Sequence, residues 1–180
     1  KGSGDIIDGG EGIDFIDGGA TGNSHKLHEN NNVVEYRKPS HQFDVKKYIY
    51  DVGSFSYADE NGNYNTSDKA ALDKIFTDLN LTAKLGKYLE SGKSYFVVID
   101  KKSLKDNTKP LTLDNLDKDN GYGVDILKNI QELKFSDAPV TIEVFKDPFG
   151  GFVRGTDFGD TIQGTGKNEH IEAGAGDDRV

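Results

Sequence analysis

The sequence predicts a mainly β chain in which short strand–turn repeats at both ends flank an inserted α+β region. Glycine is the first observation. Residues 1–25 hold 8 of the 22 glycines and residues 154–180 hold 6, leaving 8 for the long middle. Charge is the second. The two ends carry −4 and −3 of a net charge of −9, so the middle is nearly neutral. The third is a change of apolar period, from a repeat with fixed glycines at the ends to helix-like and strand-like patterns between them. These shifts place boundaries at 1–25, 26–153 and 154–180.

The first block contains one full G-G-x-G-x-D-x-U-x unit, Gly9-Gly10-Glu11-Gly12-Ile13-Asp14-Phe15-Ile16-Asp17. Before it, Asp5 and Ile7 keep the same register, with Ser3 in place of glycine. After it, Gly18-Gly19 open a further unit that decays at Asn23-Ser24. In the last block Asp160, Glu169 and Asp178 recur every nine residues, and Ile162, Ile171 and Val180 follow each of them two residues later. The fourth position of these units is Phe158, Lys167 and Gly176, so only the last keeps that glycine. A glycine-rich linker would not hold isoleucine at a fixed offset from aspartate.

Glycines at fixed places allow turns with φ > 0 and let carbonyl oxygens approach an ion. Aspartate at the sixth position adds charge and side-chain oxygen, and the triplet after it makes a short strand with one inward apolar residue. Hard cations such as calcium take carboxylate and carbonyl oxygen. The candidate ligands and ligand-turn residues are therefore Asp5, Asp8, Gly10, Gly12, Asp14, Asp17 and Gly19 in the first block. In the second they are Gly155, Asp157, Gly159, Asp160, Gly164, Gly166, Glu169, Gly174, Gly176 and Asp178. Two nonapeptides make one coil of about 18 residues, which sets Asp160 over Asp178 as candidates to share an ion. Glu169 and Asp14 face other half-sites with less defined partners.

These residues resemble the RTX (repeats-in-toxin, haemolysin-type) family, proteins exported by type I secretion. The resemblance implies a parallel β-roll with calcium between turns, at both ends of the chain. It also implies a secreted or cell-surface protein, with the type I machinery as a partner of the parent chain. A second resemblance covers residues 122–137, where Gly123, Asp125, Leu127, Asn129, Ile130, Phe135 and Asp137 match a segment common between RTX blocks. Val33-Val34-Glu35-Tyr36 and Phe43-Asp44-Val45 echo its partner strand, and such strands continue or cap the roll. Because the chain opens and closes inside repeat-like segments, it reads as a fragment of something longer.

The middle is longer than that pattern. Leu72, Ile75, Phe76 and Leu79 recur at helical spacing and predict helix from Asp68 to about Glu90, or two shorter helices with Leu81, Leu85 and Leu89 continuing the stripe after Asn80, and with Gly92 as a stop. Tyr95 to Ile99 is a continuous apolar run, which predicts a buried strand. Val140, Ile142 and Val144 alternate with Thr141, Glu143 and Phe145, as a half-buried strand does. The spacing of Ile126, Ile130 and Leu133 suits helix or strand.

Other features weigh toward ordinary structure. Asp117 and Asp119 form a carboxylate-rich loop before Gly121 that is a weaker calcium candidate. The Asp59–Asn65 run has oxygen side chains at alternate positions but lacks the spacing of an EF-hand. His25 and His28 have helical metal-pair spacing without a third ligand nearby. Asp147-Pro148 reads as a turn before a strand. Tyr48, Tyr50, Phe55, Tyr57 and Tyr64 suit a sugar-stacking face or cross-strand packing equally.

The acidic balance argues against nucleic acid and anionic membranes, which need clustered Lys and Arg. There are no cysteines, which removes disulfides and thiolate sites, and no apolar run is long enough to cross a membrane. No nucleophile elbow, H-E-x-x-H, P-loop or dinucleotide fingerprint is present, so the chain is not expected to be an enzyme. The expected role is a calcium-binding structural or interaction module of a surface-layer protein or adhesin, folding on calcium outside the cell. The alternatives are the non-catalytic C-terminal region of a secreted enzyme, and an insert that binds glycan or peptide. Cell-surface glycan and neighbouring copies are the expected outside partners.

Overall fold

The computed structural model describes residues 6–19, 32–51, 54–58, 64–65, 73–74, 77, 80, 83, 85–109, 111–117, 119–146, 151–164 and 168–180. The chain is mainly β, with 37 % of residues in strands and 9 % in helix, in mixed sheets and with no closed barrel among the described residues. It divides into two compact units. One comprises Gly9–Ile16 and His41–Lys128; the other comprises Lys1–Asp8, Asp17–Ser40 and Asn129–Val180.

The first of these units is built on a six-stranded sheet. Its strands are β2 (Ile13–Asp17), β4 (Phe43–Asp51), β5 (Ser54–Ala58), β6 (Tyr64–Asn65), β7 (Ser94–Asp100) and β8 (Val124–Lys128), in the order β2-β8-β7-β4-β5-β6. The apolar run at 95–99 forms the inner strand β7, antiparallel to β4 on one side and to β8 on the other. Its residues are buried on both faces, as an uninterrupted apolar strand requires. Tyr95, Val97 and Ile99 point into a core with Tyr48, Tyr50, Leu89, Val124 and Ile126, against which Ile13, Phe15 and Leu85 pack. Tyr48 and Tyr50, considered above for sugar stacking, are thus core residues. Of the helix expected over 68–90, the described Asp73, Lys74, Thr77, Ala83 and Leu85 are helical.

The second unit contains two smaller sheets. One runs β1 (Ile6–Ile7), β3 (Val33–Glu35), β9 (Glu132–Lys134), β10 (Pro139–Thr141); the first three strands are parallel and β10 is antiparallel to β9. Leu133 therefore lies in β9 and Ile130 in the short link before it, which resolves the ambiguous period at 126–133 as β. Asn129 takes φ 55° between β8 and β9, and Tyr36 stacks on Phe135 at 5.5 Å. The alternating run expected at 140–145 is two short strands, β10 and β11 (Phe145–Lys146), and the buried Ile142 just after β10 donates its N–H to Gln131 O at 3.0 Å.

The other small sheet is β11, β12 (Phe152–Arg154) and β13 (His170–Glu172). Here β12 pairs parallel with β13 in the register Val153↔Ile171, and an isolated parallel bridge joins Thr161 to Arg179. Both pairings join residues 18 apart in sequence.

Candidate metal centre

The complete nonapeptide folds as its glycines dictate. Gly10 and Gly12 take φ of 82° and 118°, conformations that side chains rarely adopt. The turn delivers the chain into β2, where Ile13 and Phe15 face the core. Asp14 and Ile16 therefore face the other way. Gly9 lies on Ile16, since a Cβ there would stand 3.0 Å from its Cδ1.

Beside β2 runs β8, entered by a turn of the same kind. Gly121 and Gly123 have φ of 78° and 75°. Val124 N donates to Gly12 O at 2.8 Å, while at the far end Asn129 Nδ2 donates to Asp17 Oδ1 at 2.6 Å, so the two strands are parallel. Asp14 stands two residues after Gly12, and Asp125 two residues after Gly123. They occupy equivalent positions on one face of adjacent strands, which lie about 4.8 Å apart.

The two aspartates carry the site's chemistry. Asp125 is 1 % exposed. Asp14 Oδ2 and Asp125 Oδ1 are the buried side-chain oxygens that accept no hydrogen bond among the described residues. Burial holds the Asp14 carboxyl above the usual carboxylate range. The Asp125 carboxylate faces the glycine turn, since a Cβ on Gly9 would meet its Oδ1 at 3.2 Å and its Oδ2 at 3.4 Å. Two neighbouring carboxylates with buried, unsatisfied oxygens are costly unless a cation or proton joins them. Such a donor set is hard oxygen, the preference of calcium. No group of three or more acidic or histidine side chains gathers among the described residues, so further ligands would be backbone oxygens or water.

Asp125 was matched above only to a spacer segment. A sequence signal for its placement is present in Asn120-Gly121-Tyr122-Gly123-Val124-Asp125-Ile126-Leu127-Lys128, which repeats the unit at 9–17 with Asn in place of the first glycine. Leu127 fills the apolar position two residues after the aspartate and is buried, as Ile16 is.

The other candidates fall into four groups. Asp5 and Gly166 lie outside the described residues, as do His25, His28, Asp147 and Pro148 and most of the 59–65 run. In the first block, Asp8 Oδ2 lies 3.9 Å from Arg37 Nη2. Asp17 Oδ1 accepts from Gly19 N at 2.9 Å as well as from Asn129, and Gly19 has φ of 72°. Asp117 Oδ1 accepts from Asp119 N at 3.3 Å, which makes this pair a local turn.

In the last block the structure brings Asp160 and Asp178 together. Asp160 N donates to Asp178 Oδ1 at 2.9 Å. The buried Asp160 carboxylate in turn accepts from Thr156 N at 2.7 Å and Thr156 Oγ1 at 2.8 Å. Both carboxylates thus engage protein donors. Gly155 and Gly174 pack onto the facing backbone at Ala173 and Thr156, and Gly176 onto Phe158 and Gly159. Gly174 and Gly176 have φ of 97° and 111°. A Cβ on Gly164 would stand 2.9 Å from Glu169 Oε2. Asp157 is exposed.

No helix among the described residues is long and apolar enough to cross a membrane. Compared with family models, curated proteins and solved structures, the chain shows no significant match to any of them.

Proposed function

We propose that this chain is a calcium-binding structural module of a secreted or cell-surface protein, whose fold is completed by the ion. The observation that carries this reading is the Asp14–Asp125 pair, with a buried unsatisfied oxygen on each side chain and a left-handed glycine turn before each. Calcium takes roughly six to eight oxygens, so the two carboxylates would be joined by turn carbonyls and water. The 18-residue register of β12 with β13, and of Thr161 with Arg179, supports reading the C-terminal repeats as coils of a parallel β-roll.

The mechanism is linkage. Without the ion, like charges repel and the unsatisfied oxygens oppose folding. With it, each site filled to ten times its Kd adds about 1.4 kcal/mol. Extracellular sites of this class bind in the range of about 0.1–1 mM. The chain would then stay loosely folded inside the cell and fold after export, which suits type I secretion.

The test is calorimetric titration with calcium, followed by thermal melting in EDTA and in excess calcium, with magnesium as control. Heat of binding and a calcium-specific rise in Tm that Asp125→Asn abolishes are expected. The absence of both at 10 mM calcium would refute the proposal.

A further inference from the structure

Asp100, at the C-terminal end of β7, is buried at 1 % exposure. Its ordinary role would be to cap the 3-10 turn that follows, and Lys102 N does donate to its Oδ1 at 2.9 Å. It does more than that. Gln42 Nε2 reaches both of its oxygens, at 2.8 and 2.9 Å, and fixes the plane of the carboxylate. Tyr122 N donates to its Oδ2 at 3.0 Å, and its own backbone N–H donates to Gly123 O at 3.0 Å.

Ser103 completes the grip. Its Oγ donates to Asn120 O at 2.5 Å and accepts from Gly123 N at 2.8 Å. The Asn120–Gly123 turn is thus held by hydrogen bonds to a buried carboxylate, a buried hydroxyl and the end of β7. This is the turn whose two left-handed glycines aim β8, and with it Asp125, at the glycine turn before Asp14. Gly123 in turn lies directly against Gly12.

We propose that Asp100 is a positioning residue for the cation site: it holds the 120–123 turn in its ligand-bearing conformation before the ion arrives. The proposal rests on the calcium reading above. A carboxylate suits this task because it accepts from several amides at once. An amide in its place must turn one donor toward another, at Tyr122 N or at Lys102 N. Partners that orient a metal ligand in this way typically change metal affinity by ~10–100-fold when removed.

The test is calcium titration of the whole chain by calorimetry for the wild type, Asp100→Asn, Ser103→Ala and Asp125→Asn, with circular dichroism in EDTA to establish that each is folded. The component of the isotherm removed by Asp125→Asn identifies the site. In that component Asp100→Asn is expected to raise the Kd about tenfold. Ser103→Ala is expected to raise it several-fold while leaving the hydrogen bonds of Asp100 to Gln42, Lys102 and Tyr122 in place, and it serves as the measure if Asp100→Asn fails to fold. A purely structural Asp100 would lower the Tm in EDTA while leaving the Kd of the folded protein unchanged. A folded Asp100→Asn or Ser103→Ala chain with wild-type Kd overturns the positioning role and leaves the calcium reading standing. A wild type that binds no calcium overturns both.

Discussion

Gly121 packs directly onto the buried carboxylate of Asp100: a Cβ at this position would overlap Oδ2 of Asp100 and stand 2.7 Å from Oγ of Ser103. Gly10 holds the matching place in the other turn, and a Cβ added there would meet nothing within 4 Å. Both have φ near +80°. The pair therefore separates backbone strain from steric overlap. Gly10→Ala is expected to cost about 1 kcal/mol, from the left-handed φ alone. Gly121→Ala is expected to cost roughly 3 kcal/mol or more, because rigid backbone-anchored groups must also move. Urea unfolding of the two variants checks the order, and equal losses would contradict it.

Asp14→Asn should act in opposite directions with and without calcium. In EDTA the substitution removes a carboxylate with a buried, unsatisfied oxygen, and the Tm is expected to rise by the equivalent of about 1 kcal/mol. In excess calcium the gain shown by the wild type is expected to be lost, so the two melting curves cross. A variant that is less stable in EDTA and retains the calcium response would show that Asp14 is not a ligand.

The pH dependence has a definite sign. Burial raises the Asp14 carboxyl pKa in the folded, ion-free chain above its unfolded value. The associated stability is therefore full below the unfolded pKa and is lost as pH rises through the folded pKa. Calcium requires the ionised form, so its effect should run the other way. The calcium-induced rise in Tm is expected to be large at about pH 7 and to shrink toward pH 4, near the carboxylate range. In the other unit, the side chain of Lys134 lowers the Glu35 pKa and the backbone N–H of Ser40 lowers that of Asp137, and these contributions fade as pH falls. Hydrogen exchange read separately over the two units checks whether acid loosens the second while sparing the first in EDTA.

Asp160 tests the C-terminal block. Its carboxylate satisfies the N–H and Oγ1 of Thr156, both within a buried turn. Asp160→Ala is expected to cost about 2–3 kcal/mol by leaving that N–H unsatisfied. Asp178→Ala removes one acceptor from the Asp160 N–H and is expected to cost about 1 kcal/mol. If the difference between the two persists unchanged in excess calcium, the block is held by these hydrogen bonds and not by an ion between the two carboxylates.

Much of the local structure is legible in the sequence. The nonapeptide marked Gly10, Gly12, Gly174 and Gly176 as turn residues, and each has positive φ. The apolar run at 95–99 is the doubly buried strand it resembles. The nine-residue period placed Asp160 over Asp178, and the structure joins them by a hydrogen bond. These features follow from backbone sterics and from side-chain periodicity, which act over a few residues and are written in spacing. The partner of Asp14 is different in kind. Asp125 belongs to a unit with Asn120 at its head, far along the chain, and nothing local says that β2 should lie beside β8. That pairing exists because Ile13 and Phe15 pack on the core of the unit that also contains β7 and β8. The sequence by itself therefore determined which residues could make a nonapeptide turn and strand, and the burial of that core decided which two such units lie side by side.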